Sequence, residues 1–172
     1  MSEDISNKVF RLHIIANSDS ENDQHLKLKI KDEVLKYSES LYKNCSSVRE
    51  AKIISDEHLK DFKNKARQVI AFYGYDYDVQ VYTSREFFPT REYETFTLPS
   101  GVYNTLKIII GEGKGKNWWC VMYPAVCISG CTEDFDEALS KEEEEIITSK
   151  KYIVRFKAIE IYERLKNRMI KR

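Results

Sequence analysis

The sequence predicts an α+β domain in which helices pack on a mostly antiparallel sheet of about four to five strands, giving two layers. A strand-like apolar run near the N-terminus is followed by segments whose apolar residues recur at helical spacing. The middle of the chain then changes to alternating apolar and polar residues, and a further helical region follows. Helices that are separated along the chain from most strands favour an α+β arrangement over alternating β and α units.

Length and composition indicate one globular domain spanning residues 1–172, with residues 1–8 expected to form a flexible N-terminal segment. Hydrophobic residues make up 42% and charged residues 33% of the chain, a balance typical of folded proteins. Lys+Arg and Asp+Glu both number 28, so the net charge disfavours nucleic acid as a partner. The polar, acidic start lacks the pattern of a signal peptide; a leader or anchor removed from the native chain stays an open alternative.

The first half of the chain predicts one strand and two helices. Residues 9–16 are mostly apolar, and a turn at 17–20 offers Ser20 with Asp23, or Ser18 with Glu21, as a capping box. The helix that follows has one apolar stripe, with lysines between its members: Leu26, Ile30, Val34, Tyr37 and Leu41, against Lys27, Lys29, Lys31 and Lys36. A second helix is expected from the cap at Ser47 to a stop at Gly74.

The second half predicts strands and then a helix. Alternating patterns cover 77–82 and 95–98. Residues 106–110 and 118–123 are expected to pair as an antiparallel hairpin around the glycine-rich segment 111–116. Ser140 and Glu143 suggest a cap for a last helical region, whose apolar spacing continues from Val154.

The glycine-rich segment G-E-G-K-G-K at 111–116 resembles a phosphate-binding loop only superficially. Such a loop needs Ser or Thr after its lysine and a helix whose amides face the phosphate, whereas here Asn117 and a strand-like run follow. A turn is therefore the favoured interpretation. Large aromatic residues beside an exposed loop are also common at protein interfaces, so Trp118 and Trp119 either fill the core or add to a contact surface.

Cysteine and histidine residues do not form a complete catalytic or metal-binding pattern. The spacing Cys120-x6-Cys127-x3-Cys131 lacks a paired CxxC knuckle, and His13, His25 and His58 all lie in the first half of the chain. No metal and no cofactor is expected. A local disulfide and free thiols, Cys45 included, remain equally compatible with the composition.

Several blocks together resemble the stage II sporulation protein R family of endospore-forming Firmicutes. They are R-L-H-I-I-A-N-S-D-S at 11–20, D-Q-x-L-K-L-K at 23–29, F-P-T-R at 88–91, L-P-x-G-x-Y at 98–103 and I-G-E-G-K-G-K-N-W-W-C-V-x-Y-P at 110–124. The similarity extends over about residues 9–127 and the final helix, and the last block is specific to that family.

The resemblance implies a signalling protein and no enzyme. Members of this family are made in the forespore and exported to the space between the forespore and mother-cell membranes. There they activate a membrane-embedded sporulation aspartic protease of the mother cell, which processes pro-sigma-E. This role needs protein–protein contact and no small-molecule substrate, and an extracytoplasmic location makes a Cys120–Cys127 disulfide plausible. The expected contact residues are Asp19, Phe88, Arg91, Glu112, Lys114, Lys116, Asn117 and Trp118.

A rival hypothesis makes the protein a cysteine-dependent hydrolase of the cell envelope. It takes Cys120 as the nucleophile and His13 as its base, because a catalytic thiol needs an imidazole within hydrogen-bond reach. The two hypotheses make different demands on the structure. The first needs an exposed and rigid surface, whereas the second needs His13 and a free Cys120 sulfur on the same side of the fold.

Overall fold

A computed structural model describes residues 5–93, 96–124 and 139–149, together with residue 161. The predicted helix from Val154 onwards, Cys127 and Cys131 lie outside the described residues. The helices and strands in chain order are β1 (Phe10–Ile15), α1 (Glu21–Tyr42), α2 (Val48–Glu57), α3 (Leu59–Phe72), β2 (Val79–Phe88), β3 (Arg91–Glu92), β4 (Thr97–Leu98), β5 (Gly101–Ile110), β6 (Asn117–Tyr123) and α4 (Lys141–Thr148).

Four strands form a mixed sheet in the order β2-β5-β1-β6. β1 pairs in parallel with β5 and antiparallel with β6, while β2 pairs antiparallel with β5. The short strands β3 and β4 form a separate antiparallel pair. The predicted α+β class is confirmed, and the parallel pairing of β1 is the feature that the local sequence patterns did not indicate.

The predicted hairpin of β5 with β6 is wrong, because β1 lies between the two strands. The first five residues of β1, from Phe10 to Ile14, are all buried. A strand with both faces buried is stable only in the interior of a sheet, with cover above and below it. β1 therefore occupies a central position, and the chain from β5 to β6 has to cross the end of β1.

Local capping signals were predicted correctly. The side chains of Ser20, Ser47 and Ser140 each accept a hydrogen bond from the backbone N–H three residues later, and Ser140 with Glu143 forms a complete capping box. The second predicted helix is instead two helices that meet at His58. The apolar stripe of α3, formed by Phe62, Ala66 and Ile70, packs in the core.

One hydrophobic core lies between the sheet and helices α1 to α3. Its sheet residues alternate along each strand, as in Leu12 and Ile14 of β1 or Leu106 and Ile108 of β5. Burial of each such side chain contributes roughly 1.5–3 kcal/mol. The apolar spacing of the helical segments predicted that helices pack on this face of the sheet, and the structure confirms it.

A second core covers part of the opposite sheet face. It includes Val121 of β6, Leu98 of β4 and Ile147 of α4. Ile5 is fully buried in the same cluster, and Lys8 forms an ion pair of 2.7 Å with Glu143. Part of the segment expected to be flexible, residues 5–8, thus contacts this core.

Arg11 is buried at the centre of this second core. Its guanidinium carbon lies 4.3 Å from the ring centre of Phe88 and 5.0 Å from that of Tyr103. The guanidinium also donates hydrogen bonds to the hydroxyl of Tyr93 and, at 3.5 Å, to the carbonyl of Cys120. Burial lowers the pKa of Arg11, and no carboxylate among the described residues pairs with it. Aromatic ring faces thus take the place of a counter-ion.

Substitutions of Arg11 should separate the contribution of its volume from that of its charge. Arg11→Ala leaves a cavity and should lower the free energy of unfolding by about 3–5 kcal/mol. Arg11→Met keeps most of the volume and removes a buried charge without an acidic partner, so the loss should stay below about 1.5 kcal/mol. Urea unfolding measures both. Equal losses for the two variants would mean that the cation–aromatic contacts, and not the packing, dominate.

Candidate functional site

The segment between β5 and β6, residues 111–116, is a crossover loop that passes over the end of β1. Gly111 and Gly113 have positive φ angles of 55° and 62°. A Cβ atom on Gly115 would lie 2.2 Å from the carbonyl oxygen of Ser18. Glycine is required here because the loop lies directly against the chain that leaves β1.

Backbone hydrogen bonds fix the crossover loop to residues 16–19. The N–H of Gly115 donates to the carbonyl of Ala16 at 2.9 Å, and the N–H of Lys114 donates to the carbonyl of Asn17 at 3.1 Å. The loop thus continues the hydrogen bonding of β1 beyond its last strand residue. We call the contact between residues 16–19 and the crossover loop the clasp.

Two side chains complete the clasp. The amide oxygen of Asn17 accepts the N–H of Glu112 at 2.9 Å, and a carboxylate oxygen of Asp19 accepts the N–H of Lys116 at 2.7 Å. Backbone donors that would otherwise be free in an irregular loop are therefore satisfied by the segment after β1. The N-S-D-S sequence at 17–20 and the glycine-rich loop are two halves of one structure.

Asp23, in the first turn of α1, stabilises the clasp through hydrogen bonds. Its carboxylate accepts hydrogen bonds from Ser18 at 2.5 Å, Asn17 at 2.9 Å and Tyr77 at 3.0 Å. Burial alone would raise the pKa of Asp23, but these hydrogen bonds to the charged form outweigh it and hold the pKa below its usual value. The capping pattern at residues 20–23 predicts only a capping role for Asp23.

Lys27 is a second support that sequence reasoning missed. It was assigned to the polar side of the first helix, yet it is only 4% exposed. Its ammonium group donates to the carbonyl of Lys116 at 3.0 Å and to the side chain of Gln24 at 2.6 Å. Burial lowers the pKa of Lys27. The residue one helical turn after Asp23 thus binds the far end of the crossover loop.

Five of the eight expected contact residues lie together at the clasp with exposed side chains, and we call them the tip surface: Asp19, Glu112, Lys114, Lys116 and Asn117. Glu112 and Lys114 form an exposed ion pair of 2.6 Å. In this ion pair, a hydrogen bond from Lys114 lowers the pKa of Glu112, and that of Lys114 is raised in turn. The surface carries both signs of charge on a backbone that is fixed by hydrogen bonds.

The other three expected contact residues lie elsewhere. Phe88 is only 1% exposed and belongs to the core beneath Arg11, so it is no surface contact. Arg91 is half-buried, with its guanidinium 3.8 Å from the ring centre of Trp119. Trp118 is half-buried against the helix-side core. These three residues were predicted as contacts because they lie in the family-like sequence blocks. The blocks contain both exposed and buried residues, so membership of a block does not predict exposure.

A polar network missed by the sequence reasoning lies beside the tip surface. His13 contacts a carboxylate oxygen of Glu86 at 2.7 Å through Nδ1 and the amide oxygen of Asn117 at 2.9 Å through Nε2. Lys107 forms an ion pair of 2.9 Å with Glu86. Burial opposes the charge on Glu86, but hydrogen bonds from Lys107, His13 and Ser84 hold its pKa below the usual value. The network fixes the side chain of Asn117.

The cysteine–histidine hypothesis is not supported by the geometry. The strand register places Cys120 opposite Leu12 and Trp119 opposite His13, so Cys120 and His13 lie on opposite sheet faces. Cys120 is also disulfide-bonded, whereas Cys45 is a free thiol. The predicted partner, Cys127, lies outside the described residues, and the Cys120–Cys127 pairing stays a prediction.

Metal and membrane-spanning sites are not found in the described part of the chain. No group of three or more His, Cys, Asp or Glu side chains in residues 5–93, 96–124 and 139–149 is arranged to hold a metal ion. Within the same ranges, no helix is both long enough and apolar enough to cross a membrane.

Replacement of Asp23 by Asn should change how stability depends on pH. Because the folded pKa is below the unfolded value, the carboxylate contributes stability above the unfolded pKa, and this contribution is lost as the pH falls through the folded pKa. Asp23→Asn should cost about 1–3 kcal/mol at pH 7 and much less in acid. Urea unfolding from pH 7 to about pH 2 tests this, with exposed Asp32→Asn of the same helix as the control. A constant difference across that range would contradict the assignment.

Comparison with known proteins now identifies the family. The family model described as stage II sporulation protein R matches residues 6–133. Stage II sporulation protein R of Bacillus subtilis (strain 168) is 35% identical over 148 residues, which cover 86% of this chain and 64% of that relative. No solved structure matches the chain. The match spans β1 to β6, including both halves of the clasp, and the chain belongs to the stage II sporulation protein R family.

Proposed function

We propose that this protein is a sporulation signal made in the forespore, which activates a membrane-embedded aspartic protease of the mother cell by direct contact. That protease would then process pro-sigma-E. Family membership supports the sporulation role. The described residues offer a charged surface on a backbone that is held by hydrogen bonds, which supports a role in binding.

The observation that carries the proposal is the tip surface on the clasp. Asp19, Lys116 and their neighbours are exposed, yet the backbone beneath them is held by hydrogen bonds and by Lys27. A surface that is rigid before binding loses little conformational entropy when a partner docks on it. Its two exposed lysines and two acids can orient a partner through charge complementarity.

Activation of the protease follows from preferential binding to one of its states. If the tip surface binds the active arrangement of the protease more tightly than the inactive one, the equilibrium moves toward activity. A shift from mostly inactive to mostly active requires an affinity ratio of about 10⁴, or about 5.5 kcal/mol. Close charge pairs at an interface contribute roughly 1.5–7 kcal/mol each, so a few pairs formed only with the active arrangement supply a difference of this size.

We also propose a location outside the cytoplasm, in the space between the forespore and mother-cell membranes. The disulfide at Cys120 supports an oxidising location, because such bonds persist mainly in secreted and envelope proteins.

Reversal of the tip charges should abolish activation without unfolding the protein. Lys114→Glu with Lys116→Glu should reduce pro-sigma-E processing by tenfold or more when the exported protein is co-produced with the candidate protease. Both side chains are exposed, so the free energy of unfolding from urea titration should stay within about 0.5 kcal/mol of wild type. Processing is followed by immunoblot.

The matched control is Lys43→Glu, an exposed lysine at the other end of α1. This variant should process the precursor at the wild-type rate. Normal processing by the tip double variant would show that the tip surface is not the contact. An equal loss of processing in the Lys43→Glu variant would mean that the partner recognises the overall charge of the protein and not this surface.

The predicted Cys120–Cys127 bond is tested by proteolysis of non-reduced, alkylated protein and mass spectrometry. A linked peptide pair containing these two cysteines is expected, and Cys45 should carry the alkyl group. A bridge across so short a loop contributes about 2–3 kcal/mol in the chain-entropy picture. A Cys120–Cys131 link, or a fully alkylated Cys120 in protein exported by a spore former, would contradict the pairing.

A further inference from the structure

An open groove lies between helices α1 and α3. It is lined on one side by Lys29, Asp32, Glu33 and Lys36 of α1, and on the other by Lys65, Phe72 and Tyr73 at α3 and its end. Its volume is about 420 Å³. The groove is separate from the tip surface and from the polar network around His13.

Two adjacent aromatic side chains form the apolar part of the groove. Phe72 is 84% exposed and Tyr73 is 40% exposed, and their rings contact each other with centres 5.3 Å apart. The stripe of α3 that faces the core consists of Phe62, Ala66 and Ile70, so Phe72 lies outside it. A single exposed apolar residue is ordinary, but an aromatic pair that continues into a groove is typical of a contact surface.

The charges of the groove are only partly neutralised within the protein. Glu33 pairs with Lys65 at 3.0 Å, and Asp32 pairs with Lys31 at 2.7 Å. Lys29 and Lys36 have no acidic partner in the part of the chain that the structure describes. They are seven residues apart on α1, which is two turns and about 10 Å along one face. The groove therefore presents two free ammonium groups beside an aromatic pair.

We propose that this groove docks an acidic, apolar helix of a partner protein. An amphipathic helix with carboxylates two turns apart would face Lys29 and Lys36, while an apolar side chain between them would cover Phe72. The concave shape favours a helix over an anionic membrane surface, because a flat layer of headgroups does not fill a groove between two helices. The inference does not depend on the proposed function of the tip surface.

The proposal is tested with a synthetic peptide. The probe is a fluorescein-labelled, helix-forming peptide of about 18 residues, with leucines between two glutamates seven positions apart. Its counterpart carries lysines in place of those glutamates. Fluorescence anisotropy should show binding of the acidic peptide at least about tenfold tighter than that of the lysine peptide, with a marked loss at high salt.

Matched variants locate the binding. Phe72→Ala should lower the affinity for the acidic peptide by about fivefold or more. Lys29→Glu with Lys36→Glu should lower it by about tenfold or more. Ile53→Ala, which truncates an exposed apolar residue of α2 that is 48% exposed, and Lys60→Glu at an exposed position of α3 are the controls. Both controls should bind like wild type, and urea midpoints should show that every variant is folded.

Three results would overturn the proposal. The first is equal binding of the acidic and lysine peptides, or acidic-peptide binding that survives Phe72→Ala. The second is a concentration-dependent dimer, seen by light scattering, that Phe72→Ala removes, because a second copy would then occupy the groove. The third is binding to phosphatidylglycerol vesicles that is stronger than binding to the peptide and is lost with Phe72→Ala, which would assign the groove to a membrane surface. Failure of the tip variants in processing assays would leave this result unaffected.

Discussion

The position of β1 between β5 and β6 is the constraint on which the rest of the structure depends. A central strand with a parallel neighbour requires a long connection, and the helices α1, α2 and α3 with β2 supply it. The same insertion separates β5 from β6, so the six residues between them have to span β1. The crossover loop thus lies against the segment that leaves β1, and the clasp is a consequence of strand order.

The clasp also explains why polar residues dominate this end of the molecule. An irregular loop packed on another has many backbone donors, and each buried donor without a partner costs about 1–3 kcal/mol. Asn17 and Asp19 accept hydrogen bonds from two of these backbone N–H groups. From α1, Asp23 binds Asn17 in the first half of the clasp, and Lys27 binds the carbonyl of Lys116 in the second. The side chains that face solvent are thereby left on a backbone with little freedom to move. Rigidity and exposure together make the tip surface suitable for recognition.

The opposite sheet face shows a different solution for a buried polar group. Arg11 has no acidic partner among the described residues, and aromatic rings with one hydroxyl and one carbonyl surround it. Effective contacts of this kind need fixed ring positions. Strands β2 and β5 fix the rings of Phe88 and Tyr103, and β6 supplies the carbonyl of Cys120. The charge at this site belongs to the interior, whereas the charges at the tip surface and at the groove between α1 and α3 remain available to partners. Exposure therefore separates structural charges from those suited to binding.

Local sequence patterns determined much of the chain. Serine caps at 20, 47 and 140, the apolar stripe of α1 and the stop at Gly74 were all read correctly, because each depends on residues within one or two helical turns. The glycine-rich segment was also correctly distinguished from a phosphate loop, since a strand follows it. Five expected contact residues fell on one surface because they come from two short sequence blocks that meet at the clasp.

Only the tertiary structure decided what those patterns mean together. Pairing of strands distant in sequence has no local signal, so the insertion of β1 into an apparent hairpin could not be foreseen. Burial of Lys27, Phe88 and Arg11 likewise depends on what packs above each residue, and residue type alone predicts the first and last of these to be exposed. The sequence by itself determined most of the helices and strands and the family resemblance. The tertiary structure decided their order in space, because that order is set by long-range contacts that no short segment contains.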